Sequence, residues 1–159
     1  MAYELLKFVH IVGACVLLGT GAGIAFFMLW AHRTGDAVFV AATANAVVVA
    51  DFIFTASAVF VQPVSGVLLA WEAGWSLWEG WILLSLGLYI FVGCFWLPVV
   101  WIQLRVKDLA AAAVKEGKAL PPAYHSLFRI WFICGFPAFF AVLAIIWLMI
   151  TRPGVSLGL

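Results

Sequence analysis

The chain of 159 residues is 67% hydrophobic and only 9% charged. Soluble domains are usually about 45–50% apolar and about 25% charged, and a domain this small cannot hide so much apolar surface from water. The composition therefore excludes a water-soluble fold and indicates a chain that lies in lipid. A net charge of +1 without basic patches gives no case for a nucleic-acid partner.

Four apolar runs follow one another along the chain, and about 20 such residues are enough to cross the hydrocarbon core as a helix. They predict an all-α fold, a four-helix transmembrane bundle that forms a single domain over residues 1–159. Residues 37–45 are expected to lead into the second span as helix near the membrane surface, and Pro63 to kink that span or end its regular part. The spans are placed at about residues 5–30, 46–70, 81–104 and 130–151.

An alanine-rich segment, Asp108–Gly117, stands between the third and fourth spans. Alanine favours helix and glycine suits a helix end, so the segment predicts a short separate helix. Basic residues divide six to two between the sides of the membrane, and the richer side is expected to face the cytoplasm. Both termini are therefore predicted to lie outside and the short helix to be cytoplasmic. The six are Arg33, Arg105, Lys107, Lys115, Lys118 and Arg129, and the two are Lys7 and Arg152.

His10 is the histidine that lies well inside a predicted span. An ionisable residue is costly in lipid and commonly marks a functional site there. A neutral imidazole can offer a lone pair to a metal, so His10 is a candidate axial ligand of a heme iron or a proton carrier. The alternative is a histidine that only forms hydrogen bonds within the bundle. If heme is bound, Met149 is the leading candidate for the second axial ligand, because it is predicted at the same depth.

Asp51 is the acidic residue within the predicted second span, where a carboxyl costs on the order of 2.5–3.5 kcal/mol. It is expected to face the interior of the bundle, with Thr55 one helical turn away as a local partner. Two interpretations stay open for this pair. Asp51 can relay a proton or bind a cation, or it can be a packing device that hydroxyl groups hold in place.

Two further patterns predict contacts. His32 and His125 are expected at the same cytoplasmic surface, where joint ligation is geometrically possible, and their depth excludes both as partners of His10. Gly19 and Gly23 form a GxxxG pair, which is typical of close helix packing in membranes. This pair predicts a homo-oligomer that forms through the first span.

Four segments of the chain carry a resemblance to a known family. They are residues 6–13 (LKFVHIVG), 93–103 (GCFWLPVVWIQ), 120–124 (LPPAY) and 131–138 (WFICGFPA). They resemble a family of bacterial predicted integral membrane proteins of unknown function, and the likeness spans nearly the whole chain. The resemblance implies a multi-pass protein of the bacterial inner (plasma) membrane.

A more distant resemblance concerns the start of the first span. Lys7 and His10, in a four-helix protein of this size, are similar to the corresponding features of HemJ-type protoporphyrinogen oxidases, and CopD-type membrane domains of copper resistance are similar too. The HemJ-type resemblance implies heme b ligation by His10. No counterpart of the HemJ-type lysine in a later span is found, and the chain lacks the Met/His-rich cluster that copper handling needs.

Three functions are consistent with these features. The first hypothesis is a heme-b-binding integral membrane protein that acts in electron transfer or oxidation with a redox or membrane-complex partner. The second is a non-catalytic membrane subunit or assembly factor, in which His10 and Asp51 serve packing. The third is a small-solute or proton-coupled transporter that uses Asp51.

Overall fold

The computed structural model describes residues 1–154, which fold into long helices with no β-strand among them. Four helices are long and apolar enough to cross a membrane, because α2, the π-helical turn and α3 form one continuous helix. The all-α prediction with four candidate spans is confirmed, and each predicted span lies within one of these helices. Residues 155–159 of the predicted domain lie outside the described residues. The elements are α1 (Ala2–Thr34), α2 (Ala37–Ala50), the π-helical turn (Asp51–Thr55), α3 (Ala56–Glu72), α4 (Gly80–Glu116) and α5 (Pro122–Thr151).

A tight connection joins α1 to α2. Gly35 ends α1 with a left-handed φ of 67°, a conformation that glycine adopts without strain. Asp36 then caps α2, because its side chain accepts a hydrogen bond of 2.9 Å from the Val38 backbone N–H. With only two residues between them, α1 and α2 run antiparallel as neighbours.

The prediction of a short helix separate from the third span is wrong. Residues 108–116 are helical, but they continue α4 without a break from the third span. No glycine or proline lies between Leu104 and Asp108, so nothing interrupts the helix there. The predicted end is confirmed, since Gly117 follows the helix with a φ of 63°. On which side of the membrane this end lies stays a prediction.

Proline does not end the second long helix, which continues past Pro63 to Glu72. Proline has no N–H, so Pro63 cannot donate to the Val59 carbonyl one turn before it. The Tyr89 hydroxyl of α4 donates a hydrogen bond to that carbonyl. A neighbouring helix thus satisfies the group that proline frees, as a helix in lipid requires.

The helices pack most extensively at one end of the bundle. We call the end formed by residues 31–37 and 105–122 the charged end, and the end formed by residues 1–7, 71–81 and 147–152 the tryptophan end. α1 packs along the second long helix, α4 packs along α5, and α2 joins these two pairs by packing against α4. Among the described residues, the α3 and α4 backbones stay apart, and side chains join them at Tyr89 and at Trp81. The two pairs therefore separate from the middle of the bundle towards the tryptophan end.

Burial follows this arrangement. The main core lies towards the charged end, where Ala31, Ala110 and Tyr124 have no exposed surface. A second, smaller core of Ala70, Trp81 and Ile82 closes the tryptophan end. Gly19 and Gly23 belong to neither core, and a Cβ atom at either would meet open space. Their predicted role in a homo-oligomer stays a prediction.

Candidate functional site

A cavity of about 460 Å³ lies between the two helix pairs, in the range of small-molecule sites in proteins. Small residues of three helices line this space and leave it unfilled, among them Ala14 and Gly21 of α1, Gly93 of α4 and Gly135 of α5. A Cβ atom at any of the three glycines would meet nothing within 4 Å. The sequence therefore leaves the middle of the bundle open, because its side chains there are too short to fill it.

The cavity opens sideways between α1 and α5. These two helices pack together over a short stretch, and at the charged end they meet through His32 and Phe128. Further along, Phe26 of α1 and Phe136 and Phe139 of α5 line the cavity while their side chains remain exposed. In a membrane this gap faces the lipid, so an apolar molecule can enter the cavity from the bilayer.

Asp51 and Thr55 face the cavity from the π-helical turn. Both side chains are buried, with 5% and 7% of their surfaces exposed. The Ala56 N–H donates to the Asp51 carbonyl five residues back, which widens the turn. Such π-helical turns occur frequently at functional sites. The predicted inward orientation of Asp51 and its proximity to Thr55 agree with this geometry, while the roles of proton relay and packing device stay open.

The wall around Asp51 contains unused hydrogen-bonding groups. Thr55 Oγ1 and Trp96 Nε1 approach the Asp51 carboxyl without meeting the geometry of a hydrogen bond. Gln62 Oε1 and Trp131 Nε1 are also buried without a partner among the described residues. All four atoms belong to residues that line the cavity. Because buried polar groups normally find partners, their concentration here indicates a missing ligand or water.

We predict that Asp51→Asn is nearly as stable as the wild type, because the amide keeps the shape and remains a polar neighbour of Thr55 and Trp96. Asp51→Leu is expected to lower the free energy of unfolding by about 1–3 kcal/mol, since it removes the polar neighbour of both groups. Titration with a denaturing detergent measures the difference. Equal stability of the two variants would contradict a hydrogen-bonding role for the carboxyl.

His10 lies one turn beyond the end of the cavity, since Ala14, four residues on, belongs to its wall and His10 does not. Its Nδ1 atom lies 3.0 Å from the Ser65 hydroxyl of α3. Gly66 allows this approach, because a Cβ atom there would lie 3.0 Å from His10 Cε1. If Nδ1 carries the proton and donates it to Ser65, Nε2 keeps a free lone pair.

Gln62 separates His10 from the cavity. Its Oε1 atom occupies the space beside Gly13 that a Cβ atom would need. Since that oxygen has no hydrogen-bond partner, the flexible side chain can move without losing one. Gln62 thus lines the cavity one turn from Ser65, the residue of α3 that contacts His10.

Met149 lies at the same end of the bundle as His10. It packs against the small core of Trp81 and Ile82 at the tryptophan end and does not line the cavity. Ile145 and Ile146, one turn before it on α5, do line the cavity. Both predicted axial ligands thus lie one turn beyond the same end of the cavity, on the two helices that flank its opening.

The two other histidines meet at the charged end. The ring centroids of His32 and His125 are 5.6 Å apart, so the two lie at the same end of the bundle, as predicted. His32 stacks on Phe128 with centroids 3.8 Å apart, and its Nδ1 atom lies 3.2 Å from the Tyr124 hydroxyl. The described residues contain no group of three or more His, Cys, Asp or Glu side chains that could hold a metal ion. The described contacts of this cluster are ring packing and one hydrogen bond where α1 meets α5.

Sequence patterns did not reveal several residues of the site. Ser65 and Gln62 lie on α3, about 50 residues from the α1 positions they contact. Trp96 and Tyr89 face the interior, although tryptophan and tyrosine in membrane helices usually indicate an interface with water. The one available signal was Pro63, because its missing N–H calls for a donor from a neighbouring helix.

Comparison with protein families identifies the chain. Residues 4–153 match the model of the family described as predicted integral membrane protein (DUF2269), and the chain belongs to this family. This confirms the predicted membership in a family of integral membrane proteins of unknown function. Comparisons with curated proteins and with solved structures found no match. The more distant resemblances to HemJ-type oxidases and CopD-type domains stay predictions.

Proposed function

We propose that this member of the DUF2269 family binds a lipophilic ring compound in its interhelical cavity and acts in electron transfer or oxidation within the membrane. One observation carries the proposal: four buried polar atoms have no hydrogen-bond partner within residues 1–154, and all four, on Thr55, Gln62, Trp96 and Trp131, belong to the cavity wall. A role in packing alone does not explain why unpaired polar groups surround an open space. The side opening towards lipid supplies the entry path for an apolar ligand.

Filling the cavity tests this function. Gly93→Leu places a side chain in the cavity, whereas Gly87→Leu places the same side chain at an exposed position of α4 outside the cavity wall. We expect native mass spectrometry of gently extracted wild type and Gly87→Leu to show a retained non-protein mass that Gly93→Leu lacks. A retained mass in all three proteins, or in none, would favour a non-catalytic subunit or assembly factor.

Heme b is a second candidate for the bound molecule, with His10 as axial ligand. The contact between His10 and Ser65 favours it, because a metal-ligating imidazole commonly uses its other nitrogen in a hydrogen bond that fixes the ring. Met149, at the same end of the cavity, would supply a thioether as the second axial ligand. Heme contributes reversible one-electron chemistry at iron. An absorption spectrum of gently extracted protein, with and without dithionite, tests this candidate.

A role in proton-coupled transport rests on Asp51. Its position in the cavity wall, within a widened turn of the helix, supports this alternative. Four spans are few for a transporter, so this function would require a second copy of the chain. Proton flux into liposomes containing the wild type, and its absence with Asp51→Asn, is the result that this function predicts.

A further inference from the structure

We infer that the cavity takes a molecule of the quinone class, an uncharged ring with carbonyl oxygens and an apolar tail. The inference rests on the proposed function and names its ligand. It follows from the polar groups that Asp51, Thr55 and Trp96 place together in a largely apolar wall. Many ring compounds fit an apolar space, and these polar groups determine which of them binds most tightly.

The chemistry of the wall calls for acceptor oxygens. An indole N–H only donates, and a threonine hydroxyl can donate or accept. Among residues 1–154, neither Trp96 Nε1 nor Thr55 Oγ1 forms a hydrogen bond of normal geometry, although both lie near the Asp51 carboxyl. A ring carbonyl beside them accepts from both, with a small rotation of the side chains. The Asp51 carboxyl donates to a carbonyl when protonated and accepts from the hydroxyl of the reduced ring when ionised, so both states of a quinone find a partner.

Other lipophilic occupants fit these groups less well. A lipid acyl chain or another hydrocarbon would leave Asp51, Thr55 and Trp96 buried against CH₂ groups, at the cost of unsatisfied hydrogen bonds. An uncharged carbonyl compound avoids this penalty.

The shape of the cavity accommodates a tail as well as a ring. The ring can lie against Trp96 and Asp51, while the gap between α1 and α5 lets an alkyl or isoprenoid chain pass into the bilayer. Exposed aromatic side chains on both sides of that gap, Phe26 and Phe136, offer the chain an apolar contact. A ligand held in this way can exchange with other quinone molecules in the bilayer without leaving the membrane.

Two matched probes test the inference on the complete chain in detergent micelles. The first is a decyl-substituted dimethoxy-methyl-benzoquinone, and the second is decylbenzene, which has the same tail and no carbonyl groups. Native mass spectrometry measures the bound fraction of each. We expect the wild type to bind the quinone at least tenfold more tightly than decylbenzene. Thr55→Val and Trp96→Phe should each weaken quinone binding about three- to tenfold, the effect of one lost hydrogen bond, without changing decylbenzene binding.

Control variants separate this inference from the function on which it rests. Trp101→Phe alters an exposed α4 tryptophan outside the cavity wall and should bind the quinone like the wild type. Gly93→Leu, and independently Gly135→Leu, should abolish binding of both probes. Equal binding of the two probes, lost in the glycine variants, would overturn the quinone assignment and leave the cavity function intact. Binding that survives both glycine variants, or no binding at all, would overturn both.

Discussion

Tyr124→Ala should lower the free energy of unfolding by about 3–5 kcal/mol, the usual cost of deleting a buried aromatic side chain. Tyr124 has no exposed surface and is the largest side chain buried so completely in the described part of the chain. It lies where α5 begins, in the main core, and its hydroxyl is 3.2 Å from His32 Nδ1 of α1. Its removal therefore leaves a cavity and also breaks a link between α1 and α5. Unfolding by a denaturing detergent, followed by circular dichroism, measures the loss.

Two variants divide this effect into its parts. Tyr124→Phe keeps the ring and loses only the hydroxyl, so we expect a cost of about 0.5–1.5 kcal/mol. Phe54→Ala removes an aromatic ring that is 51% exposed and lies outside the cavity wall, and lipid replaces its contacts. A loss for Phe54→Ala as large as that for Tyr124→Ala would show that the core at the charged end does not determine stability.

The helices of this chain could be predicted from sequence because each signal is local. Apolar runs give the spans, and Gly35 and Gly117 mark helix ends through conformations that other residues rarely adopt. The continuity of α4 beyond the third span was missed because the change from apolar to charged residues resembles a boundary. Composition changes where a helix leaves the lipid, but the backbone continues until a residue stops it.

The candidate site was predictable only in part. His10 and Asp51 stand out in the sequence because ionisable groups are costly in lipid. Their neighbours could not be derived, since the contact between His10 and Ser65 and the approach of Trp96 to Asp51 depend on how separate helices pack. The cavity itself follows from small residues on three helices, and such residues are equally typical of close helix packing. Only the positions of the backbones decide between a packed interface and an open space.

His10→Ala should abolish the absorption of bound heme if heme b is the ligand, while the protein still inserts and remains monodisperse. The imidazole is the proposed axial ligand, and alanine offers the iron no replacement. Ser65→Ala should retain heme with about 10–100-fold lower affinity, the usual effect of removing a hydrogen-bond partner of a metal ligand. Soret absorbance during titration with hemin measures both effects.

His125→Ala is the matched control for this prediction. His125 lies at the charged end against His32, at the opposite end of the bundle from His10, so its removal should leave the heme spectrum unchanged. A partial loss of heme affinity in Ser65→Ala would show that His10 is a metal ligand oriented by Ser65. If His10 only packs, Ser65→Ala should not change the iron spectrum. Wild-type protein produced with ample heme and showing no Soret band would overturn the heme candidate. The quinone inference, which rests on the cavity wall around Asp51, does not depend on that result.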